Sequence, residues 1–245
     1  MTTPQITQII RRTDQGATRP FICRADDGNV YYVKGRSAST GERIREWMGT
    51  HLATAFGLPV PPMCLLEIPD VLIRSSGDDT AHDLGTGYAV GSRQILAASE
   101  LRHDEIPLVP ANIQQSVLLF DFWVQNEDRT LSDLGGNPNL LWNKATTSLH
   151  AIDYNLILPN VFDATEFWQT HVFRHAFAQR GLDEPHKQQF EQQMQHALAT
   201  WQQAWDQLPE EWLDENQATG SFDGTTVLKR LEHDATGAIW EEFNT

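Results

Sequence analysis

Three side chains in the stretch WVQNEDRTLSDLGGNPNLLWNKATTSLHAIDYNLIL, residues 123–158, have the types and the spacing to do chemistry: Asp128, Asn139 and Asp153. Asp128 ends a strongly apolar, helix-like run. Asn139 opens the strand-like run Leu140-Leu141-Trp142, and Asp153 closes the run Leu149-His150-Ala151-Ile152. If the two strand-like runs pair as a hairpin, Asn139 and Asp153 come to the same end of it. A carboxylate and an amide oxygen are hard donors of the kind Mg2+ takes, with water and phosphate oxygens completing its shell. Asp128, ahead of both, can accept or orient the proton of an attacking hydroxyl. An acid followed by two such ligands, in this order, is a phosphoryl-transfer constellation. Taken singly, each of the three is an ordinary turn residue, and GGNPN is a good turn in its own right. The order and the setting of all three carry the chemistry.

Such a set needs a group for the phosphates and a frame to hold it. Lys34 ends the apolar, β-branched and aromatic run Val30-Tyr31-Tyr32-Val33, where it reads either as an edge-strand lysine or as a phosphate-binding one. On the second reading the turn at Gly16 lies above the phosphates with its backbone N–H groups toward them. Residues 40–56 form a helix with Ile44, Trp47, Met48, His51, Leu52 and Ala55 at helical spacing, stopped by Gly57. Glu42 and Glu46 lie one turn apart on it, and either can pair with Lys34.

The pattern predicts strands over 5–12, 20–25, 30–34, 63–68 and 87–95, with a hairpin turn at Asp26-Asp27-Gly28-Asn29 and a polar loop over 75–86. Helices follow over 112–125, 164–180, 185–208 and 223–242, interrupted by the one hairpin. The expected fold is therefore α+β and two-lobed. An antiparallel sheet with one helix makes an N-lobe over 1–92, a mostly helical C-lobe spans 93–245, and the two form a single kinase-like domain with the nucleotide in the cleft.

The 245 residues carry a formal net charge of -15, which opposes a nucleic-acid-binding surface and disfavours anionic membranes. The two cysteines, Cys23 and Cys64, have no metal-site spacing and read as buried free thiols. No apolar run is long enough to span a bilayer and no secretory signal pattern opens the chain, so a cytoplasmic location is expected.

The stretches YYVKGR (31–36), EWMGTHLATAFGLPVPP (46–62), FDFWVQNEDRT (120–130), GNPNLLW (136–142) and HAIDYN (150–155) resemble those of the HipA-like kinases, distant relatives of the phosphatidylinositol kinases and the eukaryotic protein kinases. The resemblance runs from about residue 16 to residue 157. It implies ATP and Mg2+ as cofactors and transfer of the γ-phosphate to a serine or threonine, usually on a protein. In toxin members the target is a translation component, an aminoacyl-tRNA synthetase, and an antitoxin is the partner. By position, Lys34 is similar to the lysine that binds the α- and β-phosphates and Glu46 to the helix glutamate paired with it. Asp128 is similar to the catalytic aspartate, and Asn139 and Asp153 to the magnesium ligands, with Asn137 as a rival to Asn139. Val90 and Gly91 fall where the interlobe hinge binds adenine, and Gly16 in the phosphate loop. Two other functions are open: phosphorylation of a small hydroxylated molecule, and a non-catalytic nucleotide-binding regulatory or immunity module. The presence of the lysine, both ligands and the base opposes the last.

Overall fold

Runs rich in β-branched, aromatic and other apolar residues build a five-stranded antiparallel sheet: β1 (Ile6–Arg12), β2 (Phe21–Ala25), β3 (Val30–Lys34), β4 (Met63–Ile68) and β5 (Gly87–Arg93), in the order β1-β2-β3-β5-β4. This is a computed structural model, and it describes residues 3–13, 19–76, 81–178 and 181–243. The β2–β3 turn has Gly28 at φ 81°, a conformation that glycine adopts without steric cost. One face of the sheet buries Phe21, Cys23, Val33, Leu66 and Ala89 under Ile73, Ala81 and Leu84. Those last three come from two short helices, α2 (Asp70–Ser75), which precedes the loop expected over 75–86, and α3 (Ala81–Leu84), which stands inside it.

Helix α1 (Thr40–Phe56) joins β3 to β4. Ser39 and Glu42 cap it reciprocally: the Glu42 N–H donates to Ser39 Oγ at 3.2 Å and the Ser39 N–H to Glu42 Oε2 at 2.7 Å. Gly57, at φ 98°, ends it in the left-handed conformation. The apolar stripe Ile44, Met48, Leu52 and Phe56 belongs to the larger core, which it shares with the helices of the second half.

That half starts with β6 (Ser99–Glu100), a 3-10 turn (His103–Leu108) and α4 (Ala111–Trp123), whose last seven residues are all buried. A small hairpin follows, β7 (Thr130–Ser132) and β8 (Gly135–Asn137), and then β9 (Leu140–Asn143) and β10 (Ser148–Ala151). The expected β9–β10 hairpin is present, and β6 pairs with β9 as a third strand. The remainder is helical: α5 (Ala164–Thr170), α6 (Glu184–Leu198), α7 (Trp201–Trp205), α8 (Glu210–Thr219), α9 (Gly224–His233) and α10 (Ile239–Glu242).

Three expected helices are shorter than their periodicity. The 164–180 helix stops at Thr170, because the Val172 N–H donates to the Arg129 carbonyl at 3.0 Å and not to the preceding turn. The 185–208 helix breaks where the Thr200 hydroxyl donates to the Ala197 carbonyl at 2.7 Å, a side-chain bond that competes with helix continuation. The last helix is interrupted by a π-type segment containing Gly237 at φ 100°. Cys23 and Cys64 are free thiols, the first buried. Among the described residues no helix is long and apolar enough to cross a membrane.

Candidate active site

The end of β3, the middle of α1 and the exit of β10 meet at one point. Lys34 Nζ donates to Glu46 Oε2 at 2.8 Å and to Asp153 Oδ1 at 2.5 Å. Glu42 is occupied in the helix cap, which leaves Glu46, one turn on, to face the lysine. Glu46 Oε2 also accepts the Tyr154 N–H at 3.0 Å, so α1 is tied directly to the segment after Asp153. Gly49, on the same face of α1, makes this approach possible: a Cβ there would lie 2.7 Å from Tyr154 Cβ and 2.5 Å from Ile157 Cδ1. Burial by itself would depress the Lys34 ammonium, but the two carboxylates outweigh it and hold its pKa above the usual lysine range. Lys34 is therefore a fixed cation.

Asp128 follows α4 in a tight turn, its N–H donating to Asn126 Oδ1 at 3.3 Å. Its Oδ2 accepts two amides, Asn139 Nδ2 at 2.8 Å and Asn137 Nδ2 at 3.0 Å. Asn139 is 6% exposed and enters the buried strand β9, whereas Asn137 lies on the exposed β8. Asn139 and Asp153 both have left-handed backbones, with φ 47° and 63°. Asn and Asp are the non-glycine residues that reach this region most readily, which is a local reason for these types at these positions.

The donor set can be weighed against Mg2+. No group of three or more His, Cys, Asp or Glu close enough to hold a metal occurs among the described residues. The cleft offers one carboxylate from Asp153 and one amide oxygen from Asn139, whose Nδ2 is turned to Asp128. Neither Asp153 Oδ2 nor Asn139 Oδ1 has a protein hydrogen-bond partner among the described residues. Lys34 contributes one positive charge against three negative ones from Glu46, Asp128 and Asp153, a surplus of two. A partial oxygen set with a negative surplus fits a magnesium ion that takes its remaining ligands from water and nucleotide phosphates.

The family model of the HipA-like kinase matches residues 6–243. The chain belongs to the HipA-like kinase family. Within solved structures this HipA-like kinase is similar to the Helicobacter pylori proinflammatory kinase CtkA, at 11% sequence identity and a TM-score of 0.52, with 97% of this chain and 99% of that chain covered. That likeness concerns the fold: a kinase fold with an antiparallel sheet in its N-lobe and a helical C-lobe. No curated protein matches the chain.

Val90 and Gly91, expected at the adenine-binding hinge of this HipA-like kinase, stand inside strand β5. Val90 pairs with Lys34 and Leu65, and Gly91 with Val33 and Cys64, so their backbone groups belong to the sheet ladder. Gly91 is a glycine for packing reasons, since a Cβ would fall 2.3 Å from Leu66 Cδ1. The chain leaves the sheet further on, over 94–98, where Ala97 has φ 56° and the Leu96 carbonyl accepts Asn143 Nδ2 at 3.2 Å. Gly16 lies outside the described residues. A cavity of about 530 Å³ borders another face of α1, lined by His51, Thr54, Pro61, Met63 and Gln207 among others, and holds none of the residues above.

The sequence reading passes over a second group, Asp121, Arg129 and His171, which is fully buried behind the site. A signal for it is present: an acid in the middle of the apolar run VLLFDFWV, eight residues before an arginine. Buried charges of this kind require partners.

Proposed function

We propose that this kinase transfers the γ-phosphate of ATP, with Mg2+, to a serine or threonine hydroxyl on a protein, with Asp128 as the group that receives or orients the hydroxyl. The observation that carries the reading is the convergence of Lys34, Glu46 and Asp153 beside the Asp128–Asn139 pair. Lys34, kept charged by its two carboxylates, binds phosphate oxygens. Glu46 holds Lys34 and the Tyr154 backbone in register, so the lysine is positioned before the nucleotide arrives. Asn139 and Asp153 would hold the metal, which when bound would supply charge neutralisation at the phosphates. Asp128 keeps Oδ2 engaged by two asparagine amides and has Oδ1 left over for the acceptor hydroxyl, whose proton it takes as the hydroxyl oxygen bonds the γ-phosphorus and the bond from that phosphorus to the β,γ-bridging oxygen breaks, releasing ADP. The family resemblance makes proteins of translation the first acceptors to try.

The test is a radiolabelled-ATP reaction with cell lysate, resolved by size, comparing wild type with Asp128→Asn. Wild type is expected to label a protein band. Asp128→Asn is expected to bind Mg-ATP as wild type does and to lose about 100- to 10,000-fold in labelling. Label in the small-molecule fraction alone would move the acceptor to a metabolite. No transfer by wild type would overturn the reading.

A further inference from the structure

Arg129 follows Asp128 and is fully buried. Its Nε donates to Asp121 Oδ2 at 2.6 Å. One terminal nitrogen, Nη1, reaches three backbone carbonyls, those of Pro138 at 3.2 Å, Ile152 at 3.3 Å and Asn139. The first and last of these carbonyls lead into β9 with Asn139, and that of Ile152 leads out of β10 into Asp153. The two stretches also touch each other, through the Ile152 N–H and the Asn139 carbonyl at 3.0 Å. A single guanidinium nitrogen thus spans the backbones of both candidate metal ligands, while the residue itself is covalently next to the candidate base.

Arg129 is held in turn from the other side. Asp121, on α4, accepts Asn126 Nδ2 at 2.9 Å and the Nε2–H of His171 at 3.0 Å. His171 Nδ1 accepts the Phe173 N–H at 3.1 Å, which places its one proton on Nε2. With a neutral imidazole, one cation faces one anion. Tyr154 closes the group, its ring 5.3 Å from the Arg129 guanidinium carbon.

We infer that Arg129, anchored by Asp121 and His171, is a positioning residue for the metal-binding pair: it sets the separation of Asn139 and Asp153 and holds their left-handed backbones. The inference rests on the kinase reading above. Arginine is required because its rigid fork can serve a carboxylate at Nε and backbone carbonyls at Nη1 together, whereas an ammonium is a single point on a flexible stem. Partners that orient metal ligands typically cost about 10- to 100-fold in metal affinity when removed. A purely structural arginine would lower thermal stability and leave the metal requirement alone.

The experiment compares wild type with Arg129→Lys in the full chain, with near-UV circular dichroism confirming the fold, and titrates ATP binding with Mg2+ and in EDTA. In EDTA the variant is expected to bind ATP within about twofold of wild type, and its half-saturating Mg2+ concentration is expected to rise about 10- to 100-fold. An unchanged Mg2+ requirement, with wild type binding Mg-ATP, overturns this inference and leaves the kinase reading intact. Wild type that binds no nucleotide in either condition overturns the kinase reading, and the inference with it. If Arg129→Lys does not fold, His171→Phe and His171→Gln decide. Phe loses the bond to Asp121 and should raise the Mg2+ requirement about 2- to 10-fold, the worth of one hydrogen bond. Gln, which keeps a donor, should restore it. Equal Mg2+ requirements in wild type and both variants overturn the inference.

Discussion

Two charge clusters flank the β9–β10 hairpin, and they are built for opposite purposes. In the cleft, Lys34, Glu46 and Asp153 come from three separate elements and carry one positive and two negative charges, with the Asp153 side chain 25% exposed. Behind the hairpin, Asp121, Arg129 and His171 carry balanced charge and are at most 1% exposed. Burial would raise the Asp121 carboxyl, but Arg129 and the bonds from His171 and Asn126 outweigh it and hold it below the usual carboxylate range. The balanced cluster is sealed, so it fixes geometry. The unbalanced cluster is partly open, so it can exchange a protein contact for a cation. Rigidity and chemistry thus lie on the two sides of one hairpin.

The largest contrast is in stability. Asp121→Ala leaves Arg129 buried without its counter-charge and should destabilise the fold by about 3–5 kcal/mol. Asp153→Ala leaves Lys34 its Glu46 partner and should destabilise less, by about 1–2 kcal/mol, mostly the cost of Ala at a left-handed position. It should instead lose the rise in melting temperature that Mg-ATP gives wild type, while Asp133→Ala, between β7 and β8, keeps that rise. Urea denaturation and thermal shift measure both. Equal destabilisation by Asp121→Ala and Asp153→Ala would break the distinction.

A smaller effect sharpens the cleft side. Lys34→Ala and Glu46→Ala should each weaken ATP binding, and the double variant should fall short of their sum by about 0.5–3 kcal/mol, because both remove one shared contact. Additive losses in a calorimetric double-mutant cycle would show that Glu46 does not act through Lys34.

The smallest effect belongs to the sealed side and depends on pH. Burial depresses His171 below the usual imidazole value, against the pull of Asp121. The native state therefore keeps His171 neutral while the unfolded chain takes up a proton below about pH 6.5. Its contribution is present above that pH and is lost as pH falls toward the depressed folded value. The difference in unfolding free energy between wild type and His171→Gln should be flat above pH 7 and shrink below 6.5, by at most about 1.4 kcal/mol per pH unit. A flat difference down to pH 5 would mean that His171 titrates as if exposed.

Much of this arrangement follows from short-range pattern. A run of β-branched and aromatic residues marks β3, and helical spacing between Ser39 and Gly57 marks α1, because strand propensity and helix period are local properties of the chain. Asp128, Asn139 and Asp153 stand out for the same reason: each is a polar residue at the boundary of an apolar run, Asn139 before one and the two aspartates after one. Tertiary structure alone decides what depends on distant partners. Glu46 faces Lys34 because Glu42 is used by the cap. The helix expected over 164–180 gives way at His171 because that imidazole bonds an aspartate 50 residues earlier and the next N–H goes to Arg129. Val90 and Gly91 pair inside the sheet because β3 and β4 both extend along β5 and take up its backbone groups. The role assigned to Arg129 is likewise invisible in NEDRT: its carbonyl partners lie up to 23 residues away and are brought within its reach only when β9 pairs with β10. Periodicity reports which face of an element is buried, but hydrogen bonds between remote backbone segments have no period, and only the folded chain specifies them.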